Sequence, residues 1–204
     1  MPSVTSSSIE ARWLDALQRL TSRAAHELRG ALNGVSVNVE VVRSRAAKAT
    51  ASAAALEPFA DAASAQLDDV IELTEALLGL ARPAREPTEI ATETKRIVTL
   101  LASAARADNR RLTIEDVTVL NGLGTTSVSG SALRFVVCEA LLAAVEASTK
   151  TRCVAITDGA SPAIRIDVSD GETISLSSDL VAVAAESGID VHVDPSAISI
   201  SFPR

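Results

Sequence analysis

The chain has 204 residues, of which 47% are hydrophobic, 22% charged and only 2% aromatic, with a formal net charge of −7. This is the composition of a globular protein with an aliphatic, Ala-rich core, long enough for one large domain or two small ones. The negative balance argues against a nucleic-acid surface, which needs a clustered basic footprint, and no apolar run reaches the roughly 18 residues required to span a bilayer.

In chain order, residues 1–8 are Ser-rich and lack both a basic start and an apolar centre. They read as a disordered leader, not a secretion signal, and the protein is expected in the cytoplasm. A first helix is expected over about residues 9–48, because Leu14, Leu17, Thr21, Ala24, Leu28, Leu32, Val35, Val39 and Val42 recur at three- and four-residue steps. Residues 47–55 are small and polar enough to turn. A second helix follows to about residue 81, with Pro58 tolerated near its start. Its apolar positions Phe59, Ala63, Leu67, Val70, Ile71, Leu73, Leu77, Leu78 and Leu80 cover more than one stripe, so it needs more than one neighbour. A two-helix hairpin cannot bury such faces alone. Dimerisation into a four-helix bundle is the simplest solution.

Pro83, Glu86 and Pro87 mark a linker and a domain boundary. Beyond it the pattern predicts a helix over residues 88–107 capped by Thr88, a strand over 111–117, a turn at Gly122 and Gly124, and a helix from Ser129 or Ser131 to about Ser148. Paired strands follow at 154–156 and 164–168, then a short helix over 180–187 and closing strands at 191–193 and 198–202. Residues 88–204 thus form a helix-backed, mostly antiparallel sheet, and the chain as a whole is α+β. Cys138 and Cys153 lie in apolar contexts without Cys-x-x-Cys spacing and read as reduced core residues, a disulfide being the lesser alternative.

The chemistry concentrates on the first helix. His26 lies two residues from both Ala24 and Leu28, so at about 100° per residue it is turned onto the outer face. Gly30 stands one turn on and Asn33 two turns on, leaving the imidazole with almost no side chain above it. A lone exposed histidine is most often solvated decoration, and the surrounding residues are what alter that reading. His26-Glu27-Leu28-Arg29, followed by Leu32 and Asn33, resembles the phosphoacceptor box in the dimerisation and histidine phosphotransfer domain of bacterial sensor histidine kinases. The family usually has Asn or Thr and then Pro where this chain has Gly30 and Ala31; the nucleophile is retained.

The element order after residue 88 resembles the ATP-binding domain of the same kinases, and residues 133–148 are similar to the helix carrying their Asn-rich nucleotide box. The family asparagines would fall at Glu139 and Ala143. Ala143 has no oxygen to offer Mg²⁺, and Glu139, which could ligate the cation, would repel a triphosphate. Residues 168–174 resemble the first glycine box through Asp170 and Gly171, yet after Gly171 only Gly188 remains, so the glycine-rich lid is missing. The resemblance therefore implies residues 9–83 as a dimerising hairpin that carries the phosphoacceptor, and residues 88–204 as a degenerate ATPase-like α/β sandwich.

The expected function is that of a histidine phosphotransferase in a two-component phosphorelay, passing a phosphoryl group between His26 and receiver-domain aspartates of response regulators without using ATP. A neutral imidazole has a free ring-nitrogen lone pair near pH 7, its reference pKa being about 6.5. The receiver supplies Mg²⁺, so no cofactor or metal is expected on this chain. By resemblance, Glu27 polarises the histidine and takes its proton; a solvated helix-face charge is the equal alternative. Arg29 and Asn33 are candidates to contact phosphoryl oxygens, and Arg23 one turn earlier is a weaker one. The docking surface is expected on the outer face around Arg23, Gly30, Val37 and Val41, with both valines exposed. Partners are a second copy of the chain and receiver domains, a hybrid sensor kinase among the possible sources, with no nucleic acid and no membrane. Autokinase activity is not expected. Two other readings stay open: a histidine kinase with an atypical nucleotide site, and a non-catalytic pseudokinase regulator. His192, in a short strand with no motif around it, reads as structural.

Overall fold

The computed structural model describes residues 4–48, 52–156, 161–169 and 173–204. Two long helices, α1 (Val4–Ala46) and α2 (Ala53–Ala81), fold against each other as a hairpin. Near its turn, Arg45 donates to the Ala55 carbonyl at 3.2 Å and lies 4.4 Å from the Phe59 ring centroid, while Asn38 Nδ2 donates to Gln66 Oε1 at 3.2 Å. The helix begins at Val4, inside the stretch expected to be a disordered leader. A helix already anchored by the packed turn of Ile9 and Trp13 extends backwards without a second nucleation cost, and Ser is tolerated in it.

The apolar stripe of α1 is wider than its covering. Trp13, Ala16, Leu20 and Ala24 are buried, whereas Leu14, Leu32 and Val39, roughly 100° round the helix, stay about half exposed. In α2, likewise, Leu73, Ala76 and Leu80 are buried and Leu67, Ile71 and Leu78 are not. Each helix therefore has one apolar face satisfied within the chain and another facing outward.

After the linker come β1 (Thr88–Glu89), α3 (Ile90–Ala107), β2 (Arg111–Ile114), α4 (Val117–Asn121), β3 (Thr125–Thr126) and α5 (Gly130–Ala147). These are followed by β4 (Lys150–Ile156), β5 (Ala163–Ser169), α6 (Ser178–Glu186), β6 (Asp190–Asp194) and β7 (Ala197–Ser201). The main sheet has the order β2-β4-β5-β7-β6, with β2 parallel to β4 and the other pairs antiparallel. Period-2 alternation explains its facing: Ile164, Ile166 and Val168 are buried under the helices, while Arg165 and Asp167 point to the other, solvated face and pair there at 2.7 Å.

Thr88 does not cap α3. It pairs with Thr126 in the small β1–β3 ladder, and its hydroxyl donates to the Val128 carbonyl at 2.9 Å, so the helix starts at Ile90. Between the strand and the Gly122 turn the structure has a further short helix, α4. Its signal is Asp116, whose carboxylate accepts from the amides of Thr118 (2.7 Å) and Val119 (3.1 Å) as an N-cap.

The buried core runs without a break from Trp13, Leu20 and Ala24 of α1 through Leu73 and Leu80 of α2 and Leu101 of α3 to Leu141 of α5 and Ile166 of the sheet. Cys138 and Cys153 are both free and buried within it. Burial pushes the Cys153 thiol up to about 12 and that of Cys138 higher still. Since the thiolate is the reactive form, alkylation of the native protein by iodoacetamide at pH 8 is expected to be slower than for a free thiol by about a thousandfold or more. Rapid labelling without denaturant would show that the core opens.

Candidate functional site

The site is built on the outer side of α1. His26, Arg23, Arg29 and Asn33 are all exposed, and Glu27 is half-buried. Glu27 is turned about 100° from His26 towards the packed side of the helix. A Cβ added at Gly30 would meet nothing within 4 Å. Helical side chains lean towards the helix N-terminus, so a side chain at position 30 would shade the turn bearing His26; glycine leaves that turn bare. Val37 is 63% exposed, as expected. Val41 is half-buried, contrary to expectation. Four residues beyond Val37, it is rotated about 40° towards the side occupied by α2.

Beside this surface a cavity of about 320 Å³ opens between α1 and α5, lined by Arg19, Leu20, Arg23, Glu139, Ala143 and Glu146 among others. Three arginines of α1, at seven- and four-residue spacing on one helical face, meet three acids of the α/β layer. Arg12 Nη2 lies 3.6 Å from Asp179 Oδ1, Arg19 Nη2 lies 2.6 Å from Glu139 Oε1, and Arg23 Nη2 lies 3.7 Å from Glu146 Oε1. The row is only half legible in the sequence. The arginine spacing is legible there, but the acids sit on other elements more than a hundred residues away.

Glu139 and Ala143, both on the wall of this cavity, offer little to Mg²⁺. The Glu139 carboxylate is 13% exposed and held by Arg19, and Ala143 has no oxygen donor. Asp170 and Gly171, the glycine-box match, lie outside the described residues. Gly188 adopts φ +68° just after α6, where it serves as the left-handed closing residue of a helix. Among the described residues no three His, Cys, Asp or Glu side chains gather as a metal site, and no helix is long and apolar enough to cross a membrane.

The second histidine is His192, read from the sequence as structural. It is exposed on the edge strand β6, and its Nε2 lies 3.1 Å from Asp194 Oδ1.

No family model matches the chain, and no curated protein sequence does. Among solved structures, one of a bacterial phosphotransferase is 13% identical, with 92% of this chain and 95% of that chain covered and a TM-score of 0.42. The Acinetobacter baumannii histidine kinase AdeS is 17% identical, with 87% and 97% covered and a TM-score of 0.40. A functional reading of this chain therefore rests on its own residues.

Proposed function

We propose that this protein is a histidine phosphotransferase of a two-component phosphorelay, exchanging phosphoryl groups between His26 and receiver-domain aspartates. The observation that carries the reading is the presentation of His26: an exposed imidazole on a rigid helix, bare above because of Gly30, with Arg23, Arg29 and Asn33 exposed around it. The free nitrogen of the neutral ring attacks the phosphorus of an aspartyl phosphate. The N–P bond forms, the P–O bond to the receiver breaks, the receiver carboxylate leaves, and the ring N–H proton passes to Glu27 or solvent. The receiver's own Mg²⁺ neutralises the transferring group. By the resemblance of residues 133–148 to the kinases' nucleotide helix, Glu139 and Ala143 would face ATP and its metal; Glu139 is instead paired with Arg19 and Ala143 has no oxygen, which supports a relay over a kinase.

The test is incubation of the wild-type protein with the phosphorylated receivers of its source organism. Acid-labile label on the protein is the expected result, and no label from any receiver would overturn the reading. Tight Mg²⁺-ATP binding with self-labelling would replace it with the kinase reading.

The proposal includes a homodimer, with α1 and α2 of two copies forming a four-helix bundle through the outward apolar faces. Leu14, Leu32 and Val39 of α1 and Leu67, Ile71 and Leu78 of α2 repeat at helical spacing and are each close to half exposed. Leu32→Glu combined with Ile71→Glu puts four carboxylates into that seam. Sedimentation is expected to shift from dimer to monomer at micromolar concentration. An unchanged mass would place the interface elsewhere.

A further inference from the structure

The Arg23–Glu146 pair is the part of the arginine row that packing alone leaves unexplained. Arg23 lies one turn before His26, within about 60° of it around α1. Residues three apart on a helix bring their Cβ atoms to about 5–6 Å. Because helical side chains lean towards the N-terminus, the His26 ring reaches back over the turn that carries Arg23. The pair itself is loose. At 3.7 Å it is beyond hydrogen-bond distance, and its side chains are 48% and 68% exposed, so it exchanges readily. Arg19 differs, being committed to the enclosed Glu139 at 2.6 Å.

Glu146 sits in the last turn of α5, where the negative end of the helix disfavours a carboxylate. Arg110 already donates to the Val145 and Glu146 carbonyls there. Local helix energetics therefore give no reason for an acid at this position, whereas holding Arg23 does.

We propose that Arg23 is the residue that holds the phosphoryl group on His26, and that Glu146 is its resting partner, exchanged for the phosphoryl oxygens when His26 is modified. This rests on the reading that His26 carries a phosphoryl group. That group bears about −1.5 to −2 charges at neutral pH against the single charge of Glu146, and a guanidinium grips its oxygens bidentately. The other charges on this side are Arg19, Glu27 and Arg29 of α1 and Glu139 of α5. Modification of His26 thus removes one of the ion pairs joining α1 to α5 and leaves Arg19–Glu139 in place.

The test needs no receiver. Phosphoramidate labels exposed imidazoles: the ring nitrogen bonds to phosphorus, the donor's P–N bond breaks, and ammonia leaves with the ring proton. All variants carry His192→Gln, so that only His26 reports, and the second ionisation of the phosphoryl group is followed by ³¹P NMR above pH 6. A nearby cation favours the dianion and lowers the midpoint. Arg23→Ala is expected to raise the midpoint by about half a unit, or threefold, with partial return in Arg23→Lys. Glu146→Gln, which frees Arg23, is expected to lower it, and to do so by less than half as much when Arg23 is already Ala. Equal midpoints in the parent and Arg23→Ala would overturn the proposal. So would failure of phosphoramidate to label His26, because the clamp needs an accessible ring nitrogen. Receivers that give nothing to a His26 that phosphoramidate does label would end the relay reading and leave the clamp standing.

Discussion

His26→Gln is expected to reduce acid-labile label from phosphorylated receivers to background, a loss of at least about a thousandfold, because no other group on this surface can form the phosphoramidate bond. Gln keeps the approximate size and polarity of the imidazole but has no nucleophilic nitrogen, so the chemistry is lost and the surface is kept. The exposed position predicts a stability change within about 0.5 kcal/mol, which thermal unfolding of the two proteins would check. His192→Gln is the necessary companion, since the second imidazole is also exposed. It is expected to keep full labelling. Label that survives His26→Gln and disappears with His192→Gln would move the phosphoacceptor to the sheet edge and overturn the assignment to His26.

Arg134→Ala is expected to be the most damaging single change to the fold. Arg134 is 3% exposed. Its Nε donates to Glu93 Oε2 at 2.7 Å, and its Nη1 donates to the carbonyls of Leu80 (3.1 Å) and Arg82 (2.8 Å) at the end of α2. The last carbonyls of a helix have no partner within it, and α2 has no basic residue in its own last turn. Arg134 therefore supplies from α5 what α2 lacks, and ties α2, α3 and α5 together beneath the Trp13 ring, whose centroid lies 5.8 Å from the guanidinium carbon. Removing one partner of such a buried pair costs about 3–5 kcal/mol. Glu93 keeps Arg96 at 2.9 Å, which favours the lower end of that range. For a chain of this length the expected fall in Tm is roughly 10 °C. Arg134→Met with Glu93→Leu leaves no buried charge and is expected to recover more than half of the loss. A fall of less than about 1 kcal/mol for Arg134→Ala would show that the pair does not anchor the joint.

Local periodicity and capping were legible in the sequence. The 3.6-residue repeats of α1, α2 and α5, the alternation of β5 and β7 and the Ser129 cap are written within a few residues, and they emerged at nearly the expected boundaries. The outward presentation of His26 belongs to the same class, because a helix converts spacing directly into direction. Long-range placement was not legible. The stripe containing Leu14 and Leu32 reads in sequence as continuous with Ala24, but only the packing of α3 and α5 decides which flank is covered. Thr88 carries a cap-like signal that a pairing with Thr126, close only in the folded chain, overrides. The arginine row and the Arg134 joint depend on partners far away in sequence, 120 residues for Arg19 and Glu139. Charges on different elements find each other only after the core has set the distance between those elements, and that distance leaves no trace in any local pattern.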